Sequence, residues 1–179
     1  MKTVTFITWN QNKADYLAKY LGFPIEHTKV DMDELQSLDL KEIVEHKVKQ
    51  AYSVVWKPVI VEDVSLEFEA LGRLPGPFIR FFLEELEVER ICSLLDGKSR
   101  KAIGRCMYGY YDGEKLEFFE WSMQGEIAQK PWRDNRYGRD RIFIPKWYET
   151  VRSELSDEDY QKVYLHIKPI EALRKFLIT

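Results

Sequence analysis

A chain of 179 residues, 45% hydrophobic and 32% charged, has ordinary globular composition. It is long enough to bury about two-thirds of its unfolded surface, so one domain with its own core is expected over 1–179. The formal net charge of −3 argues against a general polyanion binder, Cys92 and Cys106 form neither a CxxC nor a Cys/His cluster, and no apolar run reaches the length of a membrane span or a secretory leader, so a soluble protein of the reducing cytoplasm is expected, with neither nucleic acid nor membrane as partner.

Lys2 to Thr8 carries Val4, Phe6 and Ile7 and predicts a strand. Asn10 then offers an N-cap to a helix with Tyr16, Leu17, Tyr20 and Leu21 at helical spacing, ended by Gly22. The turn between them, Thr8-Trp9-Asn10-Gln11-Asn12-Lys13, puts hydroxyl, amide and ammonium groups at a helix amino terminus, where the dipole and the N–H groups favour an anion. The turn reads as a phosphate site or as a plain cap with a surface lysine. Ile25 to Val30 predicts a second strand, and the acidic segment Asp31 to Leu35 behind it reads as a solvated loop or as a source of hard-cation ligands.

From Leu40 to Val55 the residues Leu40, Ile43, Val44, Val48, Ala51 and Val55 form one helical stripe. Lys47 falls inside that stripe, so its ammonium either snorkels along the helix edge or meets an anion. Val59-Ile60-Val61, three β-branched residues after Pro58, reads as a central strand covered on both faces. Glu62 and Asp63 are expected at its carboxyl end, where α/β sheets bind ligands, although an acidic pair also suits a solvated turn.

Phe78 to Leu86 and Val88 to Leu95 predict two short helices. Lys101 to Tyr111 and Lys115 to Trp121 predict a hairpin around Asp112-Gly113. Gly125 to Ala128 leads into a polar loop, Gln129 to Arg141, before the apolar Ile142 to Pro145. Ser156 with Asp159 gives a capping box for a helix over Asp157 to Leu165, and Pro169 starts a last helix carrying Ile170, Leu173, Phe176 and Leu177. Between Lys130 and Arg152 seven basic residues face three acidic ones. That basic segment suits nucleotide phosphates, a nucleic acid, or solubility alone.

Thr8-Trp9-Asn10-Gln11-Asn12-Lys13, Glu34, Lys47, Val61-Glu62-Asp63-Val64-Ser65-Leu66 and Leu71-Gly72-Arg73-Leu74-Pro75-Gly76-Pro77 together resemble the inosine triphosphate pyrophosphatase family over nearly the whole chain. Its members hydrolyse non-standard purine nucleoside triphosphates to the monophosphate and pyrophosphate, cleaning the nucleotide pool. The resemblance implies an α/β fold: an elongated, twisted mixed β-sheet flanked by helices, two lobes with a central cleft, and a homodimer. It implies that Thr8, Asn10, Lys13 and Lys47 take the triphosphate, with Val64 and Ser65 beside them in the substrate site. Glu34 and Asp63 would hold Mg²⁺, and Asp63 with Glu62 near it would orient or deprotonate the water that attacks the α-phosphorus.

The carboxyl-terminal third departs from that family's pattern. Of its base-recognition loop Tyr137, Gly138 and Asp140 remain, while Arg139 stands where a stacking aromatic is expected. Its Ser-His-Arg is Leu165-His166-Ile167 here, so only His166 carries over, and Trp9 replaces a small residue in the first turn. The resemblance places Tyr137, Gly138, Arg139, Asp140 and His166 at the base. Arg139, whose guanidinium can stack and donate, together with His166 is expected to retain a weakened preference for 6-keto purines. The competing expectation is a catalytically weakened nucleotide- or nucleic-acid-binding protein on the same scaffold.

Overall fold

The computed structural model describes residues 2–133 and 138–179. These form a seven-stranded mixed sheet of order β2-β1-β3-β5-β6-β7, with β4 paired to β3 and six α-helices around it. In chain order the elements are β1 (Thr5–Ile7), α1 (Gln11–Leu21), β2 (Glu26–Thr28), α2 (Leu40–Val55), β3 (Val59–Phe68), β4 (Pro75–Gly76), α3 (Ile79–Glu85), α4 (Val88–Ser93), β5 (Lys101–Tyr111), β6 (Leu116–Ile127), β7 (Phe143–Pro145), α5 (Asp157–Ile167) and α6 (Ile170–Ile178). Short 3-10 turns cover Glu69–Leu71, Gly138–Arg141 and Arg152–Glu154. Among the described residues no helix is long and apolar enough to cross a membrane.

The chain gathers into two compact units. The first comprises Met1–Asp63, Cys106–Trp121 and Lys168–Thr179. Its parallel strands β1, β2 and β3 alternate side chains between two faces. One face carries Ile7, Val59, Val61 and Met107, packed with Leu40, Val44, Val48 and Ala51 of α2. Helix α2 approaches closely enough that a Cβ on Gly109 would meet Val44 Cγ1 at 2.5 Å, so a side chain there would force Val44 to shift. The opposite face carries Phe6, Ile60, Tyr108 and Tyr110, with α1 and α6 over it. Tyr110 meets Phe176 of α6 edge-on at 4.8 Å, and Arg174 Nε donates to the Leu21 carbonyl.

The second unit comprises Val64–Arg105 and Ser122–Ile167. Leu66 and Glu67 of β3 pair antiparallel with Gly76 and Pro75 of β4, and Gly125–Ile127 of β6 pair with Phe143–Pro145 of β7. Its buried apolar residues include Ile79, Ile91, Leu95, Met123 and Ile142.

The helix α2 spans the residues expected of it, capped by the Asp39 carboxylate, which accepts from Lys41 N–H at 2.8 Å. The strands differ more. β1 and β2 are only three residues long where seven and six were expected, and β6 runs on through the expected break to Ile127. The hairpin closes through 112–115, with Asp112 Oδ1 accepting from Glu114 and Lys115 N–H and Gly113 at φ 100°.

The largest departure is β3, which does not stop at Val61. It continues through Glu62 and Asp63 to Phe68, because the pairing with β4 and the buried Leu66 and Phe68 extend the ladder, while lysines neutralise the two acids in mid-strand.

Candidate active site

The amino end of α1 forms as its cap residues dictate. Asn10 is extended, and its Oδ1 accepts from Lys13 N–H at 3.3 Å, while Thr8 Oγ1 accepts from Asn10 N–H at 3.1 Å. The cap takes up the Lys13 N–H, and the positive end of an eleven-residue dipole stands at this turn. The Trp9 ring is exposed beside this turn and pinned by its indole N–H, which donates to the Val30 carbonyl at 3.1 Å.

A strand sends successive side chains to opposite faces. Glu62 follows Ile60 onto the α1 and α6 face, and Asp63 follows Val61 onto the α2 face. Lys47 on α2 reaches Asp63 Oδ2 at 2.5 Å, so the lysine inside the apolar stripe meets an anion, and that anion is a carboxylate of this chain. Glu62 and Asp63 therefore stand on opposite faces of β3, each against a lysine of the helix that covers its face.

Glu62 is only 2% exposed and sits among three partners. Lys13 Nζ stands 2.9 Å from Oε1, and Oε2 accepts from the Tyr108 hydroxyl at 2.7 Å and from Lys168 Nζ. Burial alone would raise the Glu62 carboxyl, but the Lys13 and Lys168 ammonium groups override it and hold the group far below the usual carboxylate range. Glu62 is a permanent anion at neutral pH.

Glu34 lies exposed in the loop between β2 and α2. Among the described residues no group of three or more His, Cys, Asp or Glu side chains is gathered to hold a metal. The carboxylates of Asp63 and Glu34 are hard oxygen donors of the type that Mg²⁺ takes one or two at a time, completing its shell with water and phosphate.

In the second unit Val64 is half-buried and Ser65 fully buried on β3, with the Ser65 hydroxyl 3.4 Å from Glu67 Oε1. Tyr137 lies outside the described residues. Gly138 starts a 3-10 turn and is backed by the Leu83 side chain. Asp140 is buried with both oxygens engaged: Arg152 Nη1 donates to Oδ1 at 3.0 Å and the Tyr160 hydroxyl to Oδ2 at 2.9 Å. It fastens the loop. Arg139 is 26% exposed, its Nε 3.9 Å from Asp140 Oδ1. His166 is exposed near the end of α5, with its ring edge-on to Trp147 at 5.6 Å.

The structure thus joins Lys13 to Glu62 and Lys47 to Asp63 and seats Arg139 against Asp140. Sequence reasoning missed Lys168 and Tyr108, the buried partners of Glu62, and Arg152 and Tyr160, which hydrogen-bond Asp140. The one local signal for Lys168 is a lysine directly before Pro169, in the junction between α5 and α6 rather than on a solvated face.

The model of the Ham1 family matches residues 4–176. A protein of Scheffersomyces stipitis called inosine triphosphate pyrophosphatase is 32% identical over all of both chains, and one of the same name from Emericella nidulans is 33% identical over 99% of this chain and 98% of its own. Among solved structures, a HAM1 protein from Coxiella burnetii superposes with a TM-score of 0.86 at 19% identity over 99% of each chain. A nucleoside-triphosphatase / dITP/XTP pyrophosphatase from Mycobacterium abscessus gives 0.78 at 18% identity over 95% of this chain and 97% of its own.

Proposed function

The chain belongs to the Ham1 family, and on that premise we propose that it hydrolyses non-standard purine nucleoside triphosphates to the monophosphate and pyrophosphate. The observation that carries this reading is the pair of lysine–carboxylate contacts, Lys13–Glu62 and Lys47–Asp63, flanking one strand beside an anion-favouring helix terminus. A strand that only held a sheet together would gain nothing from two carboxylates in mid-run.

Thr8, Asn10 and the first-turn N–H groups of α1 take phosphate oxygens, and Lys13 and Lys47 neutralise the departing pyrophosphate. Glu34 and Asp63 would hold Mg²⁺, which supplies further positive charge on the triphosphate when bound. Asp63 orients the attacking water. The water oxygen bonds to the α-phosphorus, the bond from that phosphorus to the α,β-bridging oxygen breaks, pyrophosphate leaves with the electron pair, and the proton passes to Asp63. Glu62, on the other face, contributes through Lys13. On the family's pattern Val64 and Ser65 are further substrate contacts, and Tyr137, Gly138, Arg139, Asp140 and His166 serve the base, with Asp140 acting through Arg139.

The protein works as a homodimer in the cytoplasm, which sedimentation and fractionation would test. The decisive experiment is a panel of inosine, xanthosine, adenosine and guanosine triphosphates with and without Mg²⁺, read as pyrophosphate released. Pyrophosphate from the inosine and xanthosine substrates, dependent on Mg²⁺, is the expected result. Binding without release would favour the nucleotide-binding alternative.

A further inference from the structure

The two cations on Glu62 are not equivalent. Oε2 is held by groups that do not reach solvent: the Tyr108 hydroxyl at 2.7 Å and Lys168, whose side chain is 5% exposed. Lys168 also lies against Tyr108, with Nζ 3.4 Å from its hydroxyl and 5.6 Å from its ring centre. Its backbone is fixed at the junction of two helices, where its carbonyl accepts from Ile170 N–H at 2.8 Å. Oε1 is different. Among the described residues it takes no hydrogen bond of regular geometry, and Lys13 Nζ stands 2.9 Å from it as an ion pair. Lys13 is 34% exposed and stands in the first turn of α1, where the proposed function puts the phosphates.

We infer that Lys168 is the standing counter-ion of Glu62 and Lys13 the exchangeable one, so that binding a triphosphate draws Lys13 from Oε1 to phosphate while Lys168, steadied by Tyr108, keeps the buried carboxylate compensated. This rests on the reading of the site as a triphosphate site. A carboxylate cut off from water must keep a cation or give up its charge. With Lys168 present, Lys13 can leave. Without it, Lys13 is the only described cation on Glu62 and phosphate has to compete for it. Lys168 is therefore a positioning residue: it acts through Glu62, by setting how available Lys13 is to the substrate.

The test is a double-mutant cycle between Lys168→Met and Glu62→Gln, read as binding of α,β-imido inosine triphosphate with Mg²⁺ by calorimetry, with circular dichroism as the control for folding. Lys168→Met is expected to weaken binding about tenfold in the wild-type background and not at all in the Glu62→Gln background, where no charge needs compensating. In turnover the single variant should raise KM much more than it lowers kcat, and Lys168→Arg should recover affinity to within about threefold. Equal weakening in both backgrounds would overturn the inference, since Lys168 would then act on the ligand or the fold rather than through Glu62. No weakening in either background would overturn it too. Should Lys168→Met fail to fold, the comparison of Glu62→Gln with Glu62→Gln/Lys168→Met decides alone, because the double variant buries no unpaired charge: equal affinities support the inference and a drop overturns it. Absence of binding by the wild type would instead reject the triphosphate reading itself.

Discussion

Glu62 and Asp140 are buried carboxylates assembled from similar parts, one in each compact unit. Each has a tyrosine hydroxyl on one oxygen, a buried cation, and a second cation that is partly exposed. They differ in what the exposed cation has to do. At Asp140 both oxygens are closed by hydrogen-bond donors, the buried Arg152 and the half-buried Tyr160, and Arg139 leans in at 3.9 Å as an extra. At Glu62 one oxygen depends on Lys13. A buried acid closed from inside is a fastener. One that leaves an oxygen to a movable cation can answer a ligand.

That contrast can be broken from either side. The largest expected effect is on chemistry: Asp63→Asn should lower pyrophosphate release about a thousandfold while the circular dichroism stays native, because it keeps the side chain's size and removes its charge. Turnover near wild type would remove Asp63 from the reaction. Asp140→Ala should do the reverse. It leaves Arg152 buried and unpaired, and should lower stability by about 3–5 kcal/mol, a drop in Tm of roughly 10 °C. A stable variant with altered base preference would show instead that Asp140 faces substrate.

Lys47→Ala should weaken triphosphate binding about tenfold or more and monophosphate binding only slightly, since the ammonium serves the polyphosphate. Equal losses would make Lys47 a partner of Asp63 and nothing else. Glu62 also gives the comparison a pH dependence. Its folded carboxyl is held below the ordinary value of about 4.3, so its contribution to stability is present above that value and is lost as the pH falls below it. Acid unfolding followed by fluorescence should be shallower over that window in Glu62→Gln. The smallest expected change is in selectivity. Arg139→Ala should narrow the ratio of kcat/KM for inosine over adenosine triphosphate by a few-fold, and an unchanged ratio would mean that Arg139 does not read the base.

What sequence made legible follows from the range of the interactions involved. Helix α2, the Asn10 cap and the Asp112-Gly113 hairpin are local, set by residues a few positions apart, and they stand where expected. Ser156 is half of a local prediction: its Oγ accepts from Asp159 N–H, yet its hydroxyl donates to the Asp159 carboxylate where a capping box would use the Ser156 N–H. The extent of β3 was hidden because two adjacent charges look like a strand end until the lysines that neutralise them are known. Those come from 49, 16 and 106 positions away. The fastener on Asp140 was hidden likewise. Arg152 counts as one more positive residue in a basic stretch, and nothing in the stretch says that it turns inward.

The lysine–carboxylate contacts along β3 also bear on how quickly a ligand arrives. With Lys13 and Lys47 each lying against an acid, the surroundings of β3 offer passing anions little uncompensated positive field. Long-range steering should be weak, and the association rate should vary little with ionic strength. Discrimination between a triphosphate and the other polyanions of a cell is thereby deferred to the moment of contact, when a ligand must carry enough charge to displace the carboxylates. Freeing Lys13 by Glu62→Gln should make encounter faster at low salt and steeply salt-dependent, and should make simple polyphosphates better competitors.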